Sequence, residues 1–221
     1  LGVTSGAGFG AALAILLLGS TWQVQISAFV FGLIAVFLSF FGSRFYRSSP
    51  TLVLTLMGIL IGSLFSSLTA LLKYVADPLD TLPAITFWLL GSLTGITWMN
   101  LPILGLVSIL GFLFLMLIRW RLNILSLGDT EAKALGLNPL HLKLILVVVT
   151  TLMTAAAVSI SGVIGWVGLV IPHVGRMIVG PNHKHLLPLS LSLGGAFLLL
   201  VDTIARAMLP GEIPLGVLTG L

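Results

Sequence analysis

Long apolar runs separated by short polar breaks organise this 221-residue chain. Leu52–Leu72, Leu101–Ile118, Leu140–Val158 and Leu186–Ala207 approach or reach the ~20 residues that a helix needs to cross a hydrocarbon core ~30 Å thick. The runs are continuous and lack the period-two alternation of barrel strands, so the pattern predicts transmembrane helices. Reading between charged and Pro/Gly-rich breaks places spans near residues 4–19, 23–42, 51–73, 98–119, 139–160, 164–179 and 186–208. The predicted fold is all-α, a polytopic transmembrane bundle forming a single domain over 1–221, with about seven spans and the start of an eighth in PLGVLTGL. Leu1 is not an initiator methionine, so a piece of a longer membrane protein is expected.

Composition agrees with the pattern. The chain is 58% hydrophobic and 7% charged, with a mean hydropathy of +1.21, which a water-exposed surface could not tolerate. Cysteine is absent, removing disulfides, thiolate catalysis and thiolate metal sites. Charge then sets direction. Arg44 and Arg47, then Arg119, Arg121, Lys133 and Lys143, then Arg176 and Lys184 occupy three breaks that face one side if the spans alternate. By the bias of Lys and Arg, that side is cytoplasmic. Asp77, Asp80 and Glu212 fall on the other, with Lys73 and Arg206.

Two connections are longer than turns. On the outer side, residues 81–96 include the apolar stretch Ala84–Leu93, too short to cross and expected to form a re-entrant or surface helix. On the inner side, 122–138 is the one extended polar segment. Ser126 or Asp129 could cap a short helix through Leu135, which Gly136 and Pro139 would end, giving a docking surface.

Glycines recur inside the spans. Gly6, Gly8 and Gly10 form G-x-G-x-G, but no strand precedes them, so close helix packing is the expectation and not nucleotide binding. Among polar residues, His183 and His185 flank Lys184 in a short loop and His141 opens a span; without accompanying carboxylates or cysteines they make no metal set. His173 follows Pro172, a residue that withholds its N–H and disturbs the preceding turn. His173 and Arg176 are expected to tie down the inner end of a helix broken at Pro172, with no catalytic role. Asp202 and Arg206 lie four apart within a span and are expected to pair as a structural lock. Phosphate loops, HExxH pairs and GxSxG elbows are missing, so neither a catalytic site nor a cofactor or metal is expected. What remains is a polytopic bundle with an inner docking helix, the outline of a transport pathway powered from elsewhere.

GVIGWVGLVIPHVGR, Gly162 to Arg176, closely resembles the signature of FecCD-type permeases, the membrane subunits of ATP-binding-cassette importers for iron-siderophores, haem, cobalamin and, in some members, molybdate. Four more stretches match in order: LGVTSGAGFGAALA the third span, SLGDTEAKALGLN the coupling segment, LLPLSLSLGGAFLLLVDTIAR the ninth span and GEIPLGVLTGL the start of the tenth. The resemblance covers essentially the whole chain. It implies a homodimeric pore of about ten helices per subunit in lipid, in the bacterial inner membrane, with two spans expected before Leu1 and most of the tenth after Leu221. Its implied partners are two cytoplasmic ATPase subunits and a periplasmic or lipid-anchored solute-binding protein, with no nucleic acid.

The resemblance carries residues with it. Gly128, Asp129, Thr130, Glu131, Ala132, Lys133, Leu135 and Gly136 would form the ATPase-coupling segment. Ser48, Ser49, Pro50 and Thr51 would hold the position of the cytoplasmic gate, where Pro50 departs from the polar residues expected. Gly162, Gly165, Gly168, Pro172, His173 and Arg176 would be structural marks of the signature. The span 51–73 and the outer helix would line the pathway. The implied cargo is an iron-siderophore or a related chelate such as haem or cobalamin; the alternatives are zinc, manganese or molybdate, or a membrane scaffold or intramembrane enzyme that does not transport. Sparse intramembrane His and Asp weigh against a naked metal ion.

Overall fold

The computed structural model describes residues 2–17, 19–44, 50–98, 101–208 and 213–220. Helices α1 (Val3–Leu17), α2 (Thr21–Arg44), α3 (Pro50–Val75), α4 (Thr81–Leu90), α5 (Leu101–Leu117), α6 (Arg119–Leu125), α7 (Asp129–Ala134), α8 (Pro139–Ser161), α9 (Val167–Val179), α10 (His183–Met208) and α11 (Leu215–Leu218) follow in order. Among the described residues, four stretches are long and apolar enough to cross a membrane: Thr21–Ser43, Leu52–Val75, Pro139–Ser161 and His183–Met208. A fifth arises if α5 and α6, bent by 63°, are counted as one span. Two expected spans are shorter than the rest. At 1.5 Å per residue α1 extends roughly 22 Å and α9 roughly 20 Å. Gly19, at φ 71°, follows α1, and α9 is bounded by Trp166 at φ 64° and Gly180 at φ 78°.

The helices form two compact units, Leu1–Leu101 with Thr151–Val163, and Pro102–Thr150 with Ile164–Leu221. In the first, α1 packs on α2, α3 and α4. Small residues make this approach possible. A Cβ on Gly6 would strike the carbonyl of Phe31 and the methyl of Ala35, and one on Gly10 the carbonyl of Ser27. Ser27 Oγ donates to the Gly10 carbonyl at 2.7 Å, closing the α1–α2 contact with an interhelical hydrogen bond. The G-x-G-x-G segment is thus a packing face. Beside this contact, Phe9 meets Phe31 edge-on at 5.0 Å between ring centroids and Phe65 at 5.5 Å. Their contact with buried Ala35 and Ile61 joins α1, α2 and α3.

The outer helix α4 is ten residues long, as its short apolar run predicts. Ile85, fully buried, packs with Ala12 and Ala76. The end of α4 docks on the end of α8: Ser92 N–H donates to the Ser161 carbonyl at 2.9 Å. Gly162, at φ 68°, sits so close that a Cβ there would strike the Trp88 carbonyl and approach Gly91 Cα at 2.9 Å.

In the second unit, α9 lies against α10. Gly175 is buried at their contact, where an added Cβ would come 3.0 Å from Leu186 Cδ1 and 3.3 Å from Ser190 Oγ. Helix α9 runs unbroken through Pro172 to Val179, which corrects the expected break. Proline at the sixth position removes only the bond to the Gly168 carbonyl, too little to stop a helix packed along α10. The interruption lies earlier, at residues 162–166, between α8 and α9.

Candidate functional site

The polar segment after α5 builds a small, tightly fixed surface in the second unit. Helix α7 begins where Gly128 adopts φ 131°, and Gly128, without a side-chain cap, is its N-cap. Neither Ser126 nor Asp129 caps it. Ser126 Oγ bonds back to the Asn123 carbonyl at 2.7 Å, and Asp129 is the first helical residue, its carboxylate paired with Lys143 Nζ of α8 at 2.7 Å. The position still favours an acid, because Asp129 and Glu131 lie in the first turn, where the helix dipole is positive, and Lys133 lies in the last.

The end of α7 is equally defined. Gly136, at φ 78°, donates its N–H to Lys133 at 2.9 Å, and Leu137 donates to Ala132 at 2.9 Å. This paired arrangement needs a left-handed residue, which glycine supplies without steric cost. Pro139 therefore starts α8 and does not end α7. Asn138 accepts the His141 N–H at 3.3 Å, so His141 lies in the first turn of α8.

Two short connections and an ion pair thus hold α7 in place. Ala132 is fully buried, while Thr130, Glu131, Lys133 and Leu135 face outward. Leu127 is 65% and Leu135 60% exposed. The result is a fixed turn of helix displaying a carboxylate and two leucines.

A second connection, between α6 and α10, joins residues far apart in the sequence. Asn182 caps α10, accepting the Lys184 N–H at 3.0 Å through its side chain and the Leu186 N–H at 3.0 Å through its carbonyl. Asn123 Nδ2 donates to Asn182 Oδ1 at 2.9 Å, and Asn123 Oδ1 accepts the His183 N–H at 2.9 Å. His183 Nδ1 lies 2.8 Å from the same oxygen, so that nitrogen must carry a proton. The network ties α6 to the start of α10. It also moves His183 and His185 from the expected loop into the first turn of α10, because Asn182 provides a cap. Only the polar pair at 123 and 182 could have hinted at it, and they lie 59 residues apart.

The remaining candidates are dispersed. Ser48 and Ser49 lie outside the described residues; Pro50 and Thr51 open α3. Gly165 and Gly168 have open space around them. The side chains of His173 and Arg176 are exposed and make neither a hydrogen bond nor an ion pair among the described residues; α9 is closed instead by the Arg176 carbonyl, which accepts the Gly180 N–H at 2.9 Å. Asp202 and Arg206 do pair, at 2.9 Å along α10. No group of three His, Asp or Glu side chains comes together among the described residues.

Known proteins converge with this architecture. The FecCD transport family model matches residues 1–221. The molybdate import system permease protein MolB of Haemophilus influenzae is 41% identical across 100% of this chain and 66% of its own length. A probable iron chelatin transport system permease protein of Helicobacter pylori is 39% identical across 100% of this chain and 67% of its own. The chain therefore spans about two thirds of the length of these curated relatives. A solved structure described as a metal-chelate type ABC transporter, in an inward-facing conformation, superposes with a TM-score of 0.93 at 41% identity, covering 99% of this chain and 70% of that one. From membrane-length apolar helices, a family match over every residue and a near-identical solved fold, the chain is a multi-pass inner-membrane protein that belongs to the FecCD transport family.

Proposed function

We propose that this chain is the pathway-forming part of a permease subunit in an ATP-binding-cassette importer, moving a metal chelate or related complex that a solute-binding protein delivers. ATP hydrolysis would belong to separate cytoplasmic subunits, and the pathway would form about the axis of a permease homodimer. The observation that carries the reading is α7: a short helix fixed at both ends, buried only through Ala132, and displaying Glu131 and Leu135. A rigid knob transmits displacement where a mobile loop would absorb it. Movement of a docked ATPase would pass through the Asp129–Lys143 pair into α8, and α6 would carry it through Asn123 to α10.

The cargo proposed is an iron chelate or a close relative, with molybdate as the second reading because the 41% identical MolB is a molybdate permease protein. Helix α3 and the outer helix α4 would border the route. A scaffold without transport would require no cognate ATPase, and an intramembrane enzyme would turn over substrate alone. Replacing Glu131 with Gln and Leu135 with Ala in the full-length protein should lower ATP-dependent uptake at least tenfold while membrane insertion is kept, since roughly 1.4 kcal/mol of lost docking affinity is a factor of ten. Unchanged uptake by that double variant would exclude α7 as the coupling element.

A further inference from the structure

A second feature, in the first unit, has the chemistry of an anion site. Between α1, α3 and the end of α4 lies a cavity of about 360 Å³, bordered by Thr4, Ser5, Ser66, Thr69, Lys73 and Leu89 among others. Ser66, Thr69 and Lys73 stand at helical spacing on one stripe of α3, and Thr4 and Ser5 face them from α1. Lys73 is the one lysine of this unit, and no ion pair involves it among the described residues. The unit's carboxylates are Asp77 and Asp80, and neither borders the cavity. Asp77, four residues beyond Lys73, is turned into the α3–α4 connection, where its Oδ1 accepts the N–H groups of Leu79 at 2.8 Å and Asp80 at 3.2 Å. Thr69 has committed its hydroxyl proton to the Phe65 carbonyl at 2.8 Å. Among the described residues, no hydrogen bond commits the hydroxyl protons of Thr4, Ser5 or Ser66.

An ammonium with several free hydroxyl donors and no acid among them suits a compact anion with several acceptor oxygens. A lysine in the last turn of α3 also complements the helix dipole and can reach toward the membrane interface. Neither role accounts for the facing hydroxyls. We propose that this cavity is a low-affinity subsite for a tetrahedral oxyanion travelling through the permease, with Lys73 as its charge partner and the hydroxyls of Thr4, Ser5 and Ser66 as donors. One half-exposed lysine gives weak binding, as a transit site needs, because an ion held tightly would not leave. The inference rests on the permease reading and favours its second cargo, an oxyanion such as molybdate, over the iron chelate.

Amine-labelling mass spectrometry on the full-length permease in nanodiscs tests it without requiring transport. Lysines 133, 143 and 184 serve as internal controls. Molybdate at about three times its dissociation constant should slow labelling of Lys73 about fourfold, since the free fraction is 1/(1 + [L]/Kd). The controls should be unaffected, and chloride at equal ionic strength should give no protection. Equal labelling with and without molybdate, or equal protection by chloride, would overturn the subsite. Protection in anionic-lipid discs that is absent in zwitterionic discs and indifferent to molybdate would assign the site to a lipid phosphate and overturn its place on the route. Absence of ATP-dependent uptake with Lys73 protection intact would instead count against the permease reading.

Discussion

Substitution of Gly162 by alanine isolates the contact that seats the outer helix. Gly162 holds φ at 68°, a conformation that costs an L-residue roughly 1–2 kcal/mol. Its new Cβ would also meet the Trp88 carbonyl and lie 2.9 Å from Gly91 Cα. Both are backbone atoms that cannot swing aside, and overpacking of this kind costs roughly 1–3 kcal/mol. The two effects together predict a loss of about 2–5 kcal/mol, or release of α4 from the end of α8 to avoid it. Gly165 is the matched control, from the same signature segment, with nothing within 4 Å and no left-handed φ; its alanine variant should stay within about 0.5 kcal/mol of the parent. Unfolding in mixed micelles, followed by tryptophan fluorescence, reads both variants on the same scale. Equal stability of Gly162→Ala and the parent would refute the claim that this glycine is required by the α4–α8 approach.

Two further outcomes follow from the second unit. Asn123→Ala removes the group that joins α6 to the start of α10, leaving the backbone and ring N–H groups of His183 without their acceptor while Asn182 Oδ1 keeps the Lys184 N–H, so stability should fall by about 1–2 kcal/mol in the same assay; no change would mean that water replaces the network. Asp129→Asn breaks a half-exposed ion pair with Lys143 and should cost under about 1 kcal/mol, less at high salt, while impairing ATP-coupled uptake far more than stability. Equal losses in the two readouts would make the pair a fold element and not a transmitter.

The helices were legible because continuous apolar runs leave little choice of structure in a membrane. The short α4 and the glycine contacts of α1 followed from length and side-chain size. Asp202 and Arg206 were legible as a pair because both lie on one helix, one turn apart. Features set by contacts distant in sequence were not. Asn123 and Asn182 show no periodicity that would join them. Pro172 read as a break because proline disfavours helix interiors, yet packing of α9 on α10 at Gly175 outweighs one lost hydrogen bond. Side-chain preference points to Ser126 or Asp129 as the cap of α7, whereas the backbone turn itself demands glycine at 128. Trp166, a bulky residue at φ 64°, had no sequence signal at all.

The proposed transport function depends on an ATPase subunit docking at α7. A photoreactive residue placed at position 135 of the full-length protein, in membranes that also hold its cognate ATPase, tests this most directly. Docking at α7 should give a crosslinked product containing the ATPase subunit, diminished when Glu131 is replaced. A reactive group at 135 that captures only lipid or water, with the ATPase present and hydrolysing ATP, would contradict it.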